Sequence, residues 1–148
     1  MRYVRNWETH WLAVAQEVAQ RSKDPSTQVG AVIVDEENTV VITGHNGMPQ
    51  GVPEYAEMWE RPVKYDYVLH AELNAIARAA RGGRSVKGCT LYVTHFPCND
   101  CAKAIVASGI KRVIVAADQS LSPRWDVHLE KASRLFSMSQ VEVQIIND

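Results

Sequence analysis

The sequence predicts an α/β fold, a three-layer α/β/α sandwich around a mixed five-stranded sheet. Three observations carry that prediction. Trp7, Trp11, Val14, Ala15 and Val18 recur at helical spacing near the start of the chain. The stretch "QVGAVIVDEENTVVITGHNG" concentrates valine and isoleucine in two runs separated by a turn, the pattern of a hairpin. The second half alternates helical stretches with short β-branched runs, the order expected of parallel strands joined by crossover helices.

Taken in order, residues 6–22 form an amphipathic helix that must stop before Pro25. The hairpin follows, with its turn at residues 36–38. Residues 48–69 carry three prolines and no sustained period, so they read as a long excursion, which in a compact domain is functional or flexible. A helix then runs to Gly82 and Gly83, followed by the strand "CTLYVTH" and a helix ending near Gly109. The strand "RVIVAAD", a helix over about 127–138 and the strand "VEVQIIN" finish the chain. The last three strands are expected to run parallel.

Composition narrows the function classes. At 148 residues with 46% hydrophobic content, the chain suits one core and is short for two, so 1–148 reads as a single domain. A formal charge of −1 with both signs interspersed offers no basic footprint for a nucleic-acid polymer. No window approaches the apolar length of a membrane span, and the start "MRYVRNWETHWLAVAQ" is amphipathic, unlike a secretion signal. The expected setting is the cytoplasm, away from membranes.

Two of the three cysteines form a C-x-x-C, Cys98 and Cys101, directly after Pro97, a favourable first-turn residue. Both thiols then lie at a helix N-terminus, where the dipole favours the thiolates that bind zinc. One imidazole, from His70 in "HAE", completes three protein ligands and leaves a fourth position for water, the composition of a catalytic zinc site. Glu72, two residues beyond His70, is placed to shuttle the water's proton to a leaving group. A dithiol redox pair is the competing reading of a lone C-x-x-C. Cys89 reads as a small buried side chain. His95 suits either a pocket wall or a strand end.

"HAE" and "PCNDC" together match the H-x-E and P-C-x-x-C signature of the zinc nucleoside and nucleotide deaminases. The blocks "RSKDPSTQVGAVIV", "GHNGMPQGV", "YVLHAELNAI" and "LYVTHFPCNDCAKAIVASGIKRVI" resemble the deoxycytidylate (dCMP) deaminases, in that family's order. The resemblance implies a cytidine deaminase-like fold and hydrolysis of dCMP to dUMP and ammonia, which supplies dUMP for thymidylate synthesis. It assigns Zn2+ to His70, Cys98 and Cys101 and proton transfer to Glu72; one ion per chain is expected, because "SKDPST" and "MPQGVPEYAEMWERPV" lack the cysteines and histidines by which some relatives hold a second. The backbone at Ala71 and from Thr94 to Pro97 is implied to hold the pyrimidine, with Phe96 as a wall or as plain core.

Asn46 is implied to lie near the sugar, and an asparagine before Gly47 also suits a left-handed turn. For the 5′-phosphate, "RSKDPST" offers Arg21, Ser22, Lys23 and Thr27, although basic residues at a helix end are common for dipole reasons alone. The resemblance further implies a homohexamer activated by dCTP with Mg2+ and inhibited by dTTP, at an effector site comprising His45, Asn46 and Gly47. His45 stands where the family usually has an aromatic residue. The alternatives to a dCMP deaminase are a deaminase of another small base or nucleoside, one of tRNA adenosine, and a non-catalytic zinc or nucleotide-binding domain.

Overall fold

The computed structural model of the chain describes residues 1–117 and 123–147. Asp118, placed by the sequence at the end of a strand, lies outside them. Helix α1 (Trp7–Ala19) opens on Asn6, whose side chain accepts the amide of Thr9 at 2.9 Å, a common N-cap arrangement. The hairpin follows as β1 (Gly30–Val34) and β2 (Val40–His45). Its turn is built by Asp35, whose carboxylate accepts the amides of Glu37 and Thr39, and by Asn38 at φ 59°.

Helix α2 (Ala71–Arg81) ends where the sequence placed its glycines. Gly83 takes φ 70°, and the amides of Gly83 and Arg84 return to the carbonyls of Ala80 and Ala79 at 3.1 and 2.8 Å. Strand β3 (Thr90–Val93), α3 (Asn99–Ala107), β4 (Arg112–Ala116), α4 (Pro123–Met138) and β5 (Glu142–Ile146) complete the described elements. Helix α4 begins four residues before the sequence estimate, which rested on an apolar period that starts only at Val127. Proline in a first helical turn sacrifices no hydrogen bond, so Pro123 can head it.

The strand order is β2-β1-β3-β4-β5. Strand β1 is antiparallel to both β2 and β3, whereas β3, β4 and β5 run parallel as expected. Alternation along the strands feeds two cores. Val32, Val34, Tyr92 and Ile114 face Trp11, Leu12 and Ala15 of α1. Ala31, Ile33, Leu91, Val93, Val113 and Val115 face the other helices, including Ala71 and Ala75 of α2, Ile105 of α3 and Phe136 of α4. This is the three-layer sandwich.

Two glycines let helices approach the sheet closely. A Cβ at Gly30 would lie 2.0 Å from the Ala15 carbonyl oxygen, and one at Gly44 would lie 2.6 Å from the Ala71 oxygen and the Ala75 nitrogen. Helix α2 and the turn after it also cover the free edge of β2. Asn74, Arg78 and Arg84 donate to the carbonyls of His45, Thr43 and Val41 at 2.8, 2.8 and 2.6 Å, so alternate acceptors along that edge are occupied.

The excursion is not structureless. Its ends are pinned by a two-bond bridge between Gly47 and Leu69, at 3.1 and 2.8 Å, and it contains two 3₁₀ turns, Ala56–Trp59 and Val63–Asp66. Among the described residues no helix is long and apolar enough to cross a membrane.

Candidate active site

Two helix N-termini converge on one point. His70, immediately after the Leu69 bridge, is the N-cap of α2, and Cys98 is the N-cap of α3. Pro97 is fully buried one position before the cap, which corrects its expected place in the first turn: Cys98 keeps an extended backbone and its thiol takes the cap by accepting the Cys101 amide at 3.4 Å. Cys101 follows one turn into α3 and is buried.

Nδ1 of His70 lies 3.4 Å from Sγ of Cys98 and 3.5 Å from Sγ of Cys101, and the three donor atoms fall within 4.8 Å of one another. A tetrahedral zinc with Zn–N of about 2.05 Å and Zn–S of about 2.3 Å would separate nitrogen and sulfur by about 3.6 Å. The two distances, together with the borderline-soft N/S/S donor set, therefore fit zinc. Cys89 is buried elsewhere, and its thiol is pushed up by burial, in keeping with a packing role.

Electrostatics reinforce the grouping. The Cys98 thiol is pulled down to about 4, first by a hydrogen bond from Cys101 and also by one from His70. The Cys101 thiol is correspondingly pushed up by its bond to Cys98 and by burial, and the His70 imidazole is raised by its bond to Cys98. Glu72, in the first turn of α2, is 4% exposed. Burial pushes its carboxyl above the usual range against the opposing pull of its backbone hydrogen bond and His70. A carboxyl raised in this way, beside three zinc donors, suits proton transfer near neutral pH.

The donors open into a cavity of about 310 Å³, at the small end of ligand pockets. His70, Ala71, Glu72 and Cys98 line it, with Val29, Asn46, Val68, His95 and Phe96. Phe96 lines the cavity and meets Phe136 edge-on at 6.3 Å. Thr94 is buried beside the cavity, where its hydroxyl accepts the Gly30 amide at 3.1 Å and lies 3.0 Å from Nδ1 of His95.

Asn46 lines the cavity while bracing the loop before β1. Its side-chain oxygen accepts the Val29 amide and its nitrogen donates to the Thr27 carbonyl, both at 2.8 Å. It is not left-handed: positive φ among the described non-glycine residues occurs at Asn38 and Gln140 only. The left-handed alternative is thereby overturned: Asn46 bends the chain between the end of β2 at His45 and the bridge at Gly47 without a positive φ.

Of the residues expected at a phosphate, Thr27 lines the cavity, whereas Arg21, Ser22 and Lys23 do not. Ser22 is buried and donates to the Asn46 carbonyl at 2.8 Å, and Lys23 pairs on the surface with Glu54 at 2.7 Å. His45 and Gly47 also stand outside the lining. The His45 imidazole is held below its ordinary value by burial and then by the nearby Arg78 and Arg21 guanidinium groups.

Four further polar residues line the cavity, namely Asp24, Arg61, Lys64 and Tyr65. Arg61, Lys64 and Tyr65 lie in the excursion, where no periodicity marks a position and where the two cations stand among Glu54, Glu57, Glu60 and Asp66, so no sequence signal singles them out.

A model of the cytidine and deoxycytidylate deaminase zinc-binding region matches residues 5–117. The deoxycytidylate deaminase of Homo sapiens is 50% identical over 119 residues, covering 76% of this chain and 66% of that protein, just under two thirds of its length. An uncharacterized deaminase of Aliivibrio fischeri is 41% identical over 141 residues, covering 95% of this chain and 93% of the relative. Among solved structures, the dCMP deaminase of cyanophage S-TIM5 in complex with dCMP and dUMP superposes with a TM-score of 0.76 at 28% identity, covering 98% of this chain and all of that one.

Proposed function

The chain belongs to the cytidine and deoxycytidylate deaminase zinc-binding family, and from that membership we propose that it hydrolyses dCMP to dUMP and ammonia. The observation that carries the reading is the approach of His70, Cys98 and Cys101 to zinc-ligand distances beside a buried glutamate with a raised pKa, in a cavity of about 310 Å³. His70, Cys98 and Cys101 would hold a zinc ion, which when bound would supply the Lewis acidity that makes water a nucleophile near neutral pH. Glu72 takes a proton from the attacking water and places it on N3 as the C4–O bond forms, then carries the C4 hydroxyl proton to the exocyclic amine, so that C4=O forms as the C4–N bond breaks and ammonia leaves. The apolar wall of Val29, Val68 and Phe96 excludes bulk solvent from the pyrimidine face.

The finer features of the proposal are a single domain over 1–148 with one zinc, acting in the cytoplasm to supply dUMP for thymidylate synthesis. A homohexamer regulated by dCTP with Mg2+ and by dTTP completes it. The charge around His45 supports an effector site there: the Arg78 and Arg21 guanidinium groups are close enough to depress its pKa, and a polyphosphate would meet their positive field, while Lys23 is offset by its pairing with Glu54. Asn46, adjoining His45 and lining the cavity, couples the two places through its bonds to Thr27 and Val29.

The test is ammonia release from cytidine, deoxycytidine, CMP and dCMP by the zinc-loaded protein. We expect dCMP to be the best substrate. Failure to deaminate any of the four refutes the reading. With dCMP, dTTP is expected to raise the half-saturating concentration and dCTP with Mg2+ to lower it; hyperbolic kinetics untouched by either triphosphate refute the effector site alone.

A further inference from the structure

The cavity of the proposed deaminase is lined by two long basic side chains, Lys64 and Arg61. They are in opposite electrostatic states. The Lys64 ammonium lies 3.2 Å from both carboxylate oxygens of Asp24, and each of the two side chains is 7% exposed. Asp24 is also held by the amides of Ser26 and Thr27, at 2.8 and 3.3 Å. Burial alone would raise its carboxyl, but those amides and Lys64 outweigh burial and hold it below the ordinary value. Asp24 is therefore a carboxylate that cancels Lys64, and the pair brings no net charge to the cavity. Arg61 makes no hydrogen bond or ion pair among the described residues, and its side chain is exposed.

Both residues sit on the excursion that Gly47 and Leu69 pin at its base. The Asp24–Lys64 pair ties the 3₁₀ turn just after Arg61 to the loop that precedes β1, over a separation of 40 residues. A buried pair of this kind is costly to break, so it fixes the wall that carries Arg61. A phosphate dianion entering the cavity needs a cation whose charge is not already spent, and a guanidinium offers the planar fork that phosphate oxygens accept.

We propose that Arg61 is the residue by which this site distinguishes a nucleotide from a nucleoside, its guanidinium taking the 5′-phosphate while the Asp24–Lys64 pair holds it in position. The proposal rests on the mononucleotide deaminase reading. It replaces Arg21 and Lys23, the cations that chain proximity suggested, with a residue that lines the cavity.

The experiment compares kcat/KM for dCMP and for deoxycytidine in the zinc-loaded full chain and in Arg61→Met and Arg61→Lys. Losing a charge-assisted contact to phosphate is expected to lower the dCMP-to-deoxycytidine preference roughly 10- to 100-fold in Arg61→Met, chiefly through KM, with zinc content unchanged. Arg61→Lys should recover part of the preference, because it restores charge without the fork. A wild-type preference for dCMP that survives in Arg61→Met overturns the Arg61 assignment alone. A wild-type enzyme that does not prefer dCMP overturns the mononucleotide reading and the assignment with it.

Discussion

Gly44→Ala tests whether close packing of the sheet against α2 sets the metal site. Gly44 pairs with Ala31 in the hairpin and faces the first turns of α2. An added Cβ would stand 2.6 Å from the Ala71 oxygen, 2.6 Å from the Ala75 nitrogen and 2.8 Å from the Ala75 Cβ. The first two are backbone atoms, so no side chain can swing away. Restoring ordinary contact requires α2 to retreat by about 0.8 Å. His70 and Glu72 ride on that end of the helix, while Cys98 and Cys101 belong to α3. Metal-ligand distances tolerate only about 0.2 Å, so the displacement should separate His70 from the thiols. Overpacking of this kind costs about 1–3 kcal/mol, and a domain of this size loses roughly 2–4 °C per kcal/mol. The expected outcome is a Tm lower by roughly 3–10 °C and zinc affinity, measured by competition with a chromogenic chelator, reduced at least about tenfold. Gly82→Ala is the control, because its Cβ would meet its neighbours at an ordinary 3.6 Å. If Gly44→Ala matches Gly82→Ala in Tm and zinc affinity, the close-approach reasoning is wrong.

Glu72→Gln keeps the three zinc donors and removes the proton carrier, so metal analysis should find zinc at the wild-type level while turnover of dCMP falls at least about a hundredfold. Cys98→Ser should lose zinc and activity together; normal turnover in the metal-free variant would contradict the donor set. Asp24→Asn strands the buried Lys64 ammonium, and urea unfolding at pH 7 should register a loss of about 3–5 kcal/mol. Because the folded Asp24 carboxyl is depressed, its contribution is fully present above the unfolded value of about 3.9 and is lost as pH falls through the folded one. The stability gap between wild type and Asp24→Asn should thus hold from neutrality to about pH 5 and narrow below pH 4; a gap that widens on acidification refutes the pairing. Arg78→Met with Arg84→Met uncovers the Thr43 and Val41 carbonyls on the β2 edge, and light scattering should show concentration-dependent self-association that single surface lysine changes do not cause.

Most features that depend on near neighbours along the chain were legible in the sequence, the start of α4 and the place of Pro97 being exceptions. Continuous runs of valine and isoleucine specify β1 and β4, glycines 82 and 83 stop α2, and Asp35 with Asn38 shapes the hairpin turn, because each acts within about four residues. The same holds for the donors: "HAE" and "PCNDC" each put their reactive side chains at a helix start, whatever the helix packs against. Tertiary structure alone decided how these pieces meet. The order β2-β1-β3-β4-β5 juxtaposes the starts of α2 and α3 and turns two local motifs into one N/S/S donor set. The cavity's charges show the same division. Arg21 and Lys23 are nearest in sequence to the block that suggested a phosphate site, yet Lys23 is spent on Glu54, and Asp24 finds Lys64 in the excursion. Electrostatic pairing depends on distance and burial after folding, and chain order does not encode either for groups 40 residues apart. Burial likewise raises the Glu72 carboxyl, a property that the letters of the motif could name a role for but that only the packed helices around it create.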